Sequence, residues 1–129
     1  MLKAIIKDIL TIDGITQIAF SSDLGDVFML GLEISEDIKA SRGALLDFKS
    51  SDILLLSELN LNSNLGTRNI FKVKIFSIIR GSIVSNLTLE INSIKFDIIL
   101  PSNLADKFNP NDEAYALLGE TSLYISEFL

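Results

Sequence analysis

The chain has 129 residues, 48% of them hydrophobic, and carries 17 acidic against 11 basic side chains for a formal net charge of −6. It has neither cysteine nor histidine, which excludes disulfides, thiolate metal sites, cysteine nucleophiles and histidine-based triads or zinc centres. The apolar content suits a packed interior, and the acidic balance repels a nucleic-acid backbone, so any anion site must be local, built from a few basic side chains and backbone N–H groups.

The opening Leu2-Lys3-Ala4-Ile5-Ile6-Lys7-Asp8 places a charge every few residues. Nowhere do about 18 apolar residues run together, so a cytoplasmic chain without membrane insertion is expected. Asp13-Gly14, Asp23-Leu24-Gly25-Asp26 and Arg42-Gly43 read as turns. Further on, Ile70-Phe71-Lys72-Val73-Lys74-Ile75-Phe76, Leu87-Thr88-Leu89-Glu90-Ile91 and Ile94-Lys95-Phe96-Asp97-Ile98 alternate with the period of two that buries one face of a strand. Arg80-Gly81-Ser82 and Asn92-Ser93 separate them as turns. Short strands at this spacing predict an all-β sandwich or barrel. One helix of two turns is predicted over 101–108, with Leu104 and Phe108 on one face and Asn109-Pro110 ending it.

The chain also repeats itself at a separation of 69 to 70 residues. Lys3-Ala4-Ile5-Ile6 matches Lys72-Val73-Lys74-Ile75, Ile18-Ala19-Phe20 matches Leu87-Thr88-Leu89, and Ser51-Asp52-Ile53-Leu54-Leu55 matches Thr121-Ser122-Leu123-Tyr124-Ile125, each pair in strand phase. The polar Asn60-Leu61-Asn62-Ser63-Asn64-Leu65-Gly66-Thr67 reads as a connector. The domain expectation is a first barrel over 1–59, the connector over 60–67 and a second barrel over 68–129. A copy of under about 60 residues buries little surface alone, so the copies are expected to pack and to associate as a homo-oligomer.

Gly66-Thr67-Arg68-Asn69 at the head of the second copy resembles the Ser-x-Arg-Asn signature of the molybdenum-pterin-binding domain, called Mop or TOBE. That domain occurs in molybdate-responsive regulators, small molybdate-storage proteins and molybdate-importer ATPases. Arg68 and Asn69 fall on the signature's Arg and Asn, and Gly66 falls where the family commonly has Ser. The glycine-started Gly81-Ser82-Ile83-Val84 and the Asn111-Asp112-Glu113-Ala114-Tyr115-Ala116-Leu117-Leu118 segment resemble the family's second strand and its Gly-Asp turn. Phe48-Lys49-Ser50-Ser51-Asp52-Ile53 resembles the Lys-x-Ser/Thr-Glu-Val segment that closes the domain. Two departures stand out: Gly119-Glu120-Thr121 replaces the second copy's Lys-Ala-Thr/Ser, and nothing before Leu2 resembles Ser-x-Arg-Asn. The resemblance implies two tandem OB-like small β-barrels with a short helix in the second copy.

It also implies a ligand, molybdate or tungstate, with no organic cofactor and no metal beyond molybdenum as the oxyanion. Such a tetrahedral dianion offers only acceptors, so its site needs donors. Arg68 supplies a charged fork, Lys49 a point charge, and Thr67, Ser50 and Ser102 hydroxyls, with Asn69 completing the set. Ser102 follows Pro101 at the predicted helix start, where backbone N–H groups favour an anion. Arg68 and Lys49 lie in different copies, which implies sites completed when barrels associate. No Gly-rich phosphate loop or paired-carboxylate motif supports catalysis. The implied role is storage, buffering or transport homeostasis of the oxyanion. The alternative is an interaction module of a molybdate ABC transporter that has lost strong anion binding.

Overall fold

The computed structural model describes residues 2–32, 38–60 and 64–129, so the middle of the connector, 61–63, lies outside the described residues. Alternation becomes strand directly. In β1 (Leu2–Ile12) the side chains of Leu2, Ala4 and Ile6 are buried while Lys3 and Ile5 face out. In β7 (Val84–Ile91) the buried positions are Ser85, Leu87 and Leu89. The remaining strands are β2 (Ile15–Ser22), β3 (Gly25–Gly31), β4 (Gly43–Asp47), β5 (Ile53–Leu56), β6 (Asn69–Ile79), β8 (Ile94–Pro101), β9 (Glu113–Leu118) and β10 (Tyr124–Phe128), with a 3-10 turn at Ser50–Asp52. The all-β expectation holds, with one short α-helix among the described residues, in the second copy.

Hairpin turns fall where the sequence placed them. Ile12 pairs with Ile15 across Asp13 and Gly14, whose φ angles are 54° and 77°. Ile91 pairs with Ile94 across Asn92 and Ser93 at 48° and 67°. Two successive residues at positive φ make the turn whose twist matches that of the strands.

The helix is shorter than predicted. Helix α1 spans Ser102–Ala105 only, and Leu104 is 44% exposed while Ala105 and Phe108 are buried, so Leu104 and Phe108 do not share a buried face. The reason lies in Arg80, whose guanidinium donates to the carbonyls of Ala105 (3.2 Å) and Phe108 (2.9 Å) and to the Asp106 carboxylate (3.1 Å). These carbonyls are capped from outside, and the chain continues through tight turns in which Lys107 N–H donates to Leu104 O and Phe108 N–H to Ala105 O.

The described residues form two five-stranded sheets, in the orders β10-β4-β1-β2-β3 and β5-β9-β6-β7-β8. By compactness the chain divides into a first unit of Met1–Lys49, Gly66–Asn69 and Leu118–Leu129 and a second of Ser50–Leu65 and Ile70–Leu117. The units therefore exchange the last strand of each sequence copy. Ile53 of β5 is buried in the second unit, and Leu123, its repeat mate, is buried in the first. A fully buried Ile or Leu contributes about 1.5–3 kcal/mol, so each exchanged segment is anchored by its apolar side chain as well as by strand pairing.

The repeat is visible beyond the strand phase. The β1–β2 register shifts between Ile6 and Asp8, and the β6–β7 register between Ile75 and Ser77, leaving Lys7 and Phe76 as the extra residues of matching bulges. Ile6 donates to Arg42 O (2.9 Å) and accepts from Ser41 N–H (2.8 Å). Ile75 likewise donates to Asp112 O (2.9 Å) and accepts from Asn111 N–H (2.7 Å). Ser41 and Asn111 sit at φ 68° and 73°. The bulge residue faces the same partner position in both units with different chemistry: Lys7 Nζ lies 3.1 Å from Asp26 Oδ2, and Lys95 Nζ lies 3.7 Å from the Phe76 ring centroid.

Candidate functional site

Thr67, Arg68 and Asn69 lie in the first unit, Arg68 and Asn69 against Phe28 of β3, and each is held differently. Asn69 is fully buried. Its Nδ2 donates to the Phe28 carbonyl (2.7 Å), and its Oδ1 accepts from the Phe28 N–H (2.7 Å). One side-chain amide thus does for Phe28 what a neighbouring strand would do for an edge residue. Thr67 accepts from the Asn69 N–H (3.0 Å) and donates its hydroxyl to Leu118 O (2.6 Å), a local turn that fixes the segment.

Between these anchors Arg68 projects outward, its side chain 51% exposed. The guanidinium carbon lies 4.1 Å from the Phe28 ring centroid. Glu120, at 15% side-chain exposure, closes on it: Arg68 Nη2 donates to Oε1 (2.7 Å), while Arg68 Nε (3.0 Å) and the Arg68 backbone N–H (2.9 Å) both donate to Oε2. Glu120 is held in turn, its carbonyl accepting from Leu30 N–H at 2.9 Å. The hydrogen bond from Arg68 keeps the Glu120 carboxyl below the usual carboxylate range, with burial pushing the other way, and the same pair raises Arg68. Among the described residues no hydrogen bond or ion pair reaches Arg68 Nη1, and the side chain as a whole is half exposed.

Lys49 is exposed and makes no hydrogen bond or ion pair among the described residues, and Ser50, the next residue, opens the 3-10 turn in the second unit. Ser102 is also in the second unit. Its N–H donates to Ile83 O (2.8 Å), and its hydroxyl donates to Gly81 O (2.7 Å) and lies 2.8 Å from the Ser85 hydroxyl. The helix cap is Pro101 without a side-chain bond, so Ser102 tethers the end of β8 to the turn before β7. The structure thus brings together Thr67, Arg68 and Asn69 and leaves Ser102 in a separate network. Sequence reasoning missed Glu120, Phe28 and Arg80. Glu120 had a signal, being an acid beside the place of the missing lysine. Phe28 had none, lying 41 residues from its Asn69 partner.

Repeat-related grooves lie elsewhere on each unit. That of the first, about 530 Å³, is lined by Lys3, Ser21, Ser22, Ser41 and Leu129 among others. That of the second, about 330 Å³, presents Lys72, Lys74, Glu90 and Glu113. Neither includes Arg68. Among the described residues no group of three or more His, Cys, Asp or Glu side chains is placed to hold a metal ion, and no helix is long and apolar enough to cross a membrane.

No protein-family model matches the sequence, and no curated protein matches it either. Among solved structures the chain is similar to a cytoplasmic molybdate-binding protein, ModG, crystallised with molybdate bound and suggested to bind by a cooperative mechanism. The TM-score is 0.86 over 96% of this chain and 92% of that one, at 14% sequence identity. The likeness is one of fold, and gives this chain the tandem OB-like all-β architecture.

Proposed function

We propose that this protein binds molybdate or tungstate reversibly in the cytoplasm, for storage, buffering or transport homeostasis of the oxyanion, and performs no catalysis. The observation that carries the reading is Arg68, a guanidinium fixed in orientation and half exposed, on a fold whose solved neighbour holds molybdate. The neighbour is a ligand-binding protein, and the chain offers no cysteine or histidine for chemistry. In this reading Arg68 presents its open edge to the anion, Thr67 and Asn69 hold the segment that carries it, and Lys49 and Ser50 supply the further donors where copies associate. Calorimetric titration with molybdate, tungstate and sulfate tests it. Heat with the first two and little with sulfate is expected, and equal or absent heats for all three would overturn it.

One observation favours a second reading. The Arg68–Glu120 pair has no net charge, which suits an interaction module of a molybdate ABC transporter that has given up strong anion binding. Capture of transporter components to the same extent with and without molybdate would support that role.

A further inference from the structure

We propose that Glu120 serves as an internal anion for Arg68, seated where an oxyanion would bind the guanidinium, and that it thereby sets the affinity of this site. The inference rests on the anion-binding reading above and assigns to that site a residue belonging to this chain's own sequence.

The geometry is that of a receptor already filled. A carboxylate presents two oxygens to Nε and Nη2 of an arginine as a phosphate-like oxyanion does, and Glu120 takes both, adding the Arg68 backbone N–H as a third donor. Three of the donors that this segment can direct at an anion are therefore in use. The carboxylate is not a loose surface partner: its side chain is 15% exposed, and its own backbone is pinned to β3 through Leu30. Charge works in the same direction. An incoming dianion on the remaining Nη1 edge meets a guanidinium whose charge is offset by a neighbour a few ångströms away, so it is held less tightly than by an unpaired arginine.

The sequence makes the change specific to one copy. At the 70-residue offset that pairs Ile53 with Leu123, Glu120 corresponds to Ser50 and Gly119 to Lys49. Relative to its own first copy, the second has lost a cation and gained an anion within two adjacent positions. The Phe28 ring, 4.1 Å from the guanidinium carbon, backs the fork, so the same arginine stays oriented for whichever anion occupies it.

The test is titration of the full chain with molybdate, comparing the unaltered protein with Glu120→Gln, Glu120→Ala, Arg68→Ala and the double variant Arg68→Ala/Glu120→Gln. Thermal melts establish that each is folded, and Gln retains an acceptor for the Arg68 donors. Removing a charged competitor from a half-exposed fork should tighten binding about tenfold in both Glu120 variants, and the gain should vanish in the double variant. Binding unchanged or weakened in both Glu120 variants overturns the proposal, since the carboxylate would then merely position Arg68. A gain that survives in the double variant also overturns it, since it would report lowered overall charge. The two readings fail separately: binding by the unaltered protein with no response to Glu120 leaves the proposed function standing and removes this inference. Binding only after Glu120 is replaced does the reverse.

Discussion

Asn69 offers a measurement that separates scaffold from ligand contact. Replacing it by Ala removes two hydrogen bonds of 2.7 Å and strips the Phe28 N–H and carbonyl of their partner. At about 0.5–1.5 kcal/mol for each bond, plus part of the desolvation of the two backbone groups left behind, the cost is about 2–3 kcal/mol. With a urea slope of about 1–3 kcal/mol per molar, the midpoint should fall by roughly 1 M, in buffer free of any oxyanion. Asn69→Asp should cost more at neutral pH, because it sets a carboxylate against the Phe28 carbonyl in a site with no exposure. Burial raises that new carboxyl above its unfolded value, so the folded state binds the extra proton, and the deficit of Asn69→Asp should shrink as pH falls. Circular dichroism during urea titration reads both. A midpoint shift under about 0.3 M for Asn69→Ala would refute the idea that this amide closes the edge of β3.

Other residues give further tests. The Glu120 carboxyl is lowered in the fold by Arg68, so its stabilisation is complete above the unfolded value of about 4.5 and is lost as pH falls through the lowered folded value. Glu120→Gln should flatten the acid side of the stability profile, and profiles of equal slope would contradict this. Arg80→Ala uncaps the end of α1 and should cost about 1–2 kcal/mol in urea unfolding; no change would mean that water replaces the guanidinium. A side chain at Gly81 would run into the carbonyl oxygen of Val84, so Gly81→Ala should cost about 1–3 kcal/mol by forcing that turn apart. Leu123→Ala should speed amide exchange in β4, to which β10 is paired, and leave β9 protected; loosening of β9 instead would contradict the exchanged strands.

Much of the fold was legible because it follows from local chemistry. Period-two alternation at Ile70 to Phe76 and at Leu87 to Ile91 has one reading once a core exists, and Asp13-Gly14 and Asn92-Ser93 tolerate the positive φ that the hairpins require. The duplication was legible for the same reason, since Ile6 and Ile75 have the same task twice. The partner of a strand was not. Nothing in Leu123 says whether it will enter the sheet of its own copy or the other, because apolar burial has no address. The helix length also escaped, since Arg80 caps it from more than 20 residues upstream. At the site, residues 67–69 were found by resemblance, but what they do depends on Phe28 and Glu120, 41 and 52 residues away.

The exchanged strands also govern the order in which the protein can be made. In the first unit, Ala44 pairs with Phe128, and Arg42 donates to the carbonyl of Leu129, 87 residues downstream. Contacts of such long sequence separation form late and slow folding. As the chain leaves the ribosome, β4 gains its β10 partner only once the second copy has been synthesised. By then the second unit already holds β5 through β9 and can fold first. The half made first thus depends on a strand made later, and until β10 arrives the edge of β4 is open to pairing with another newly made chain.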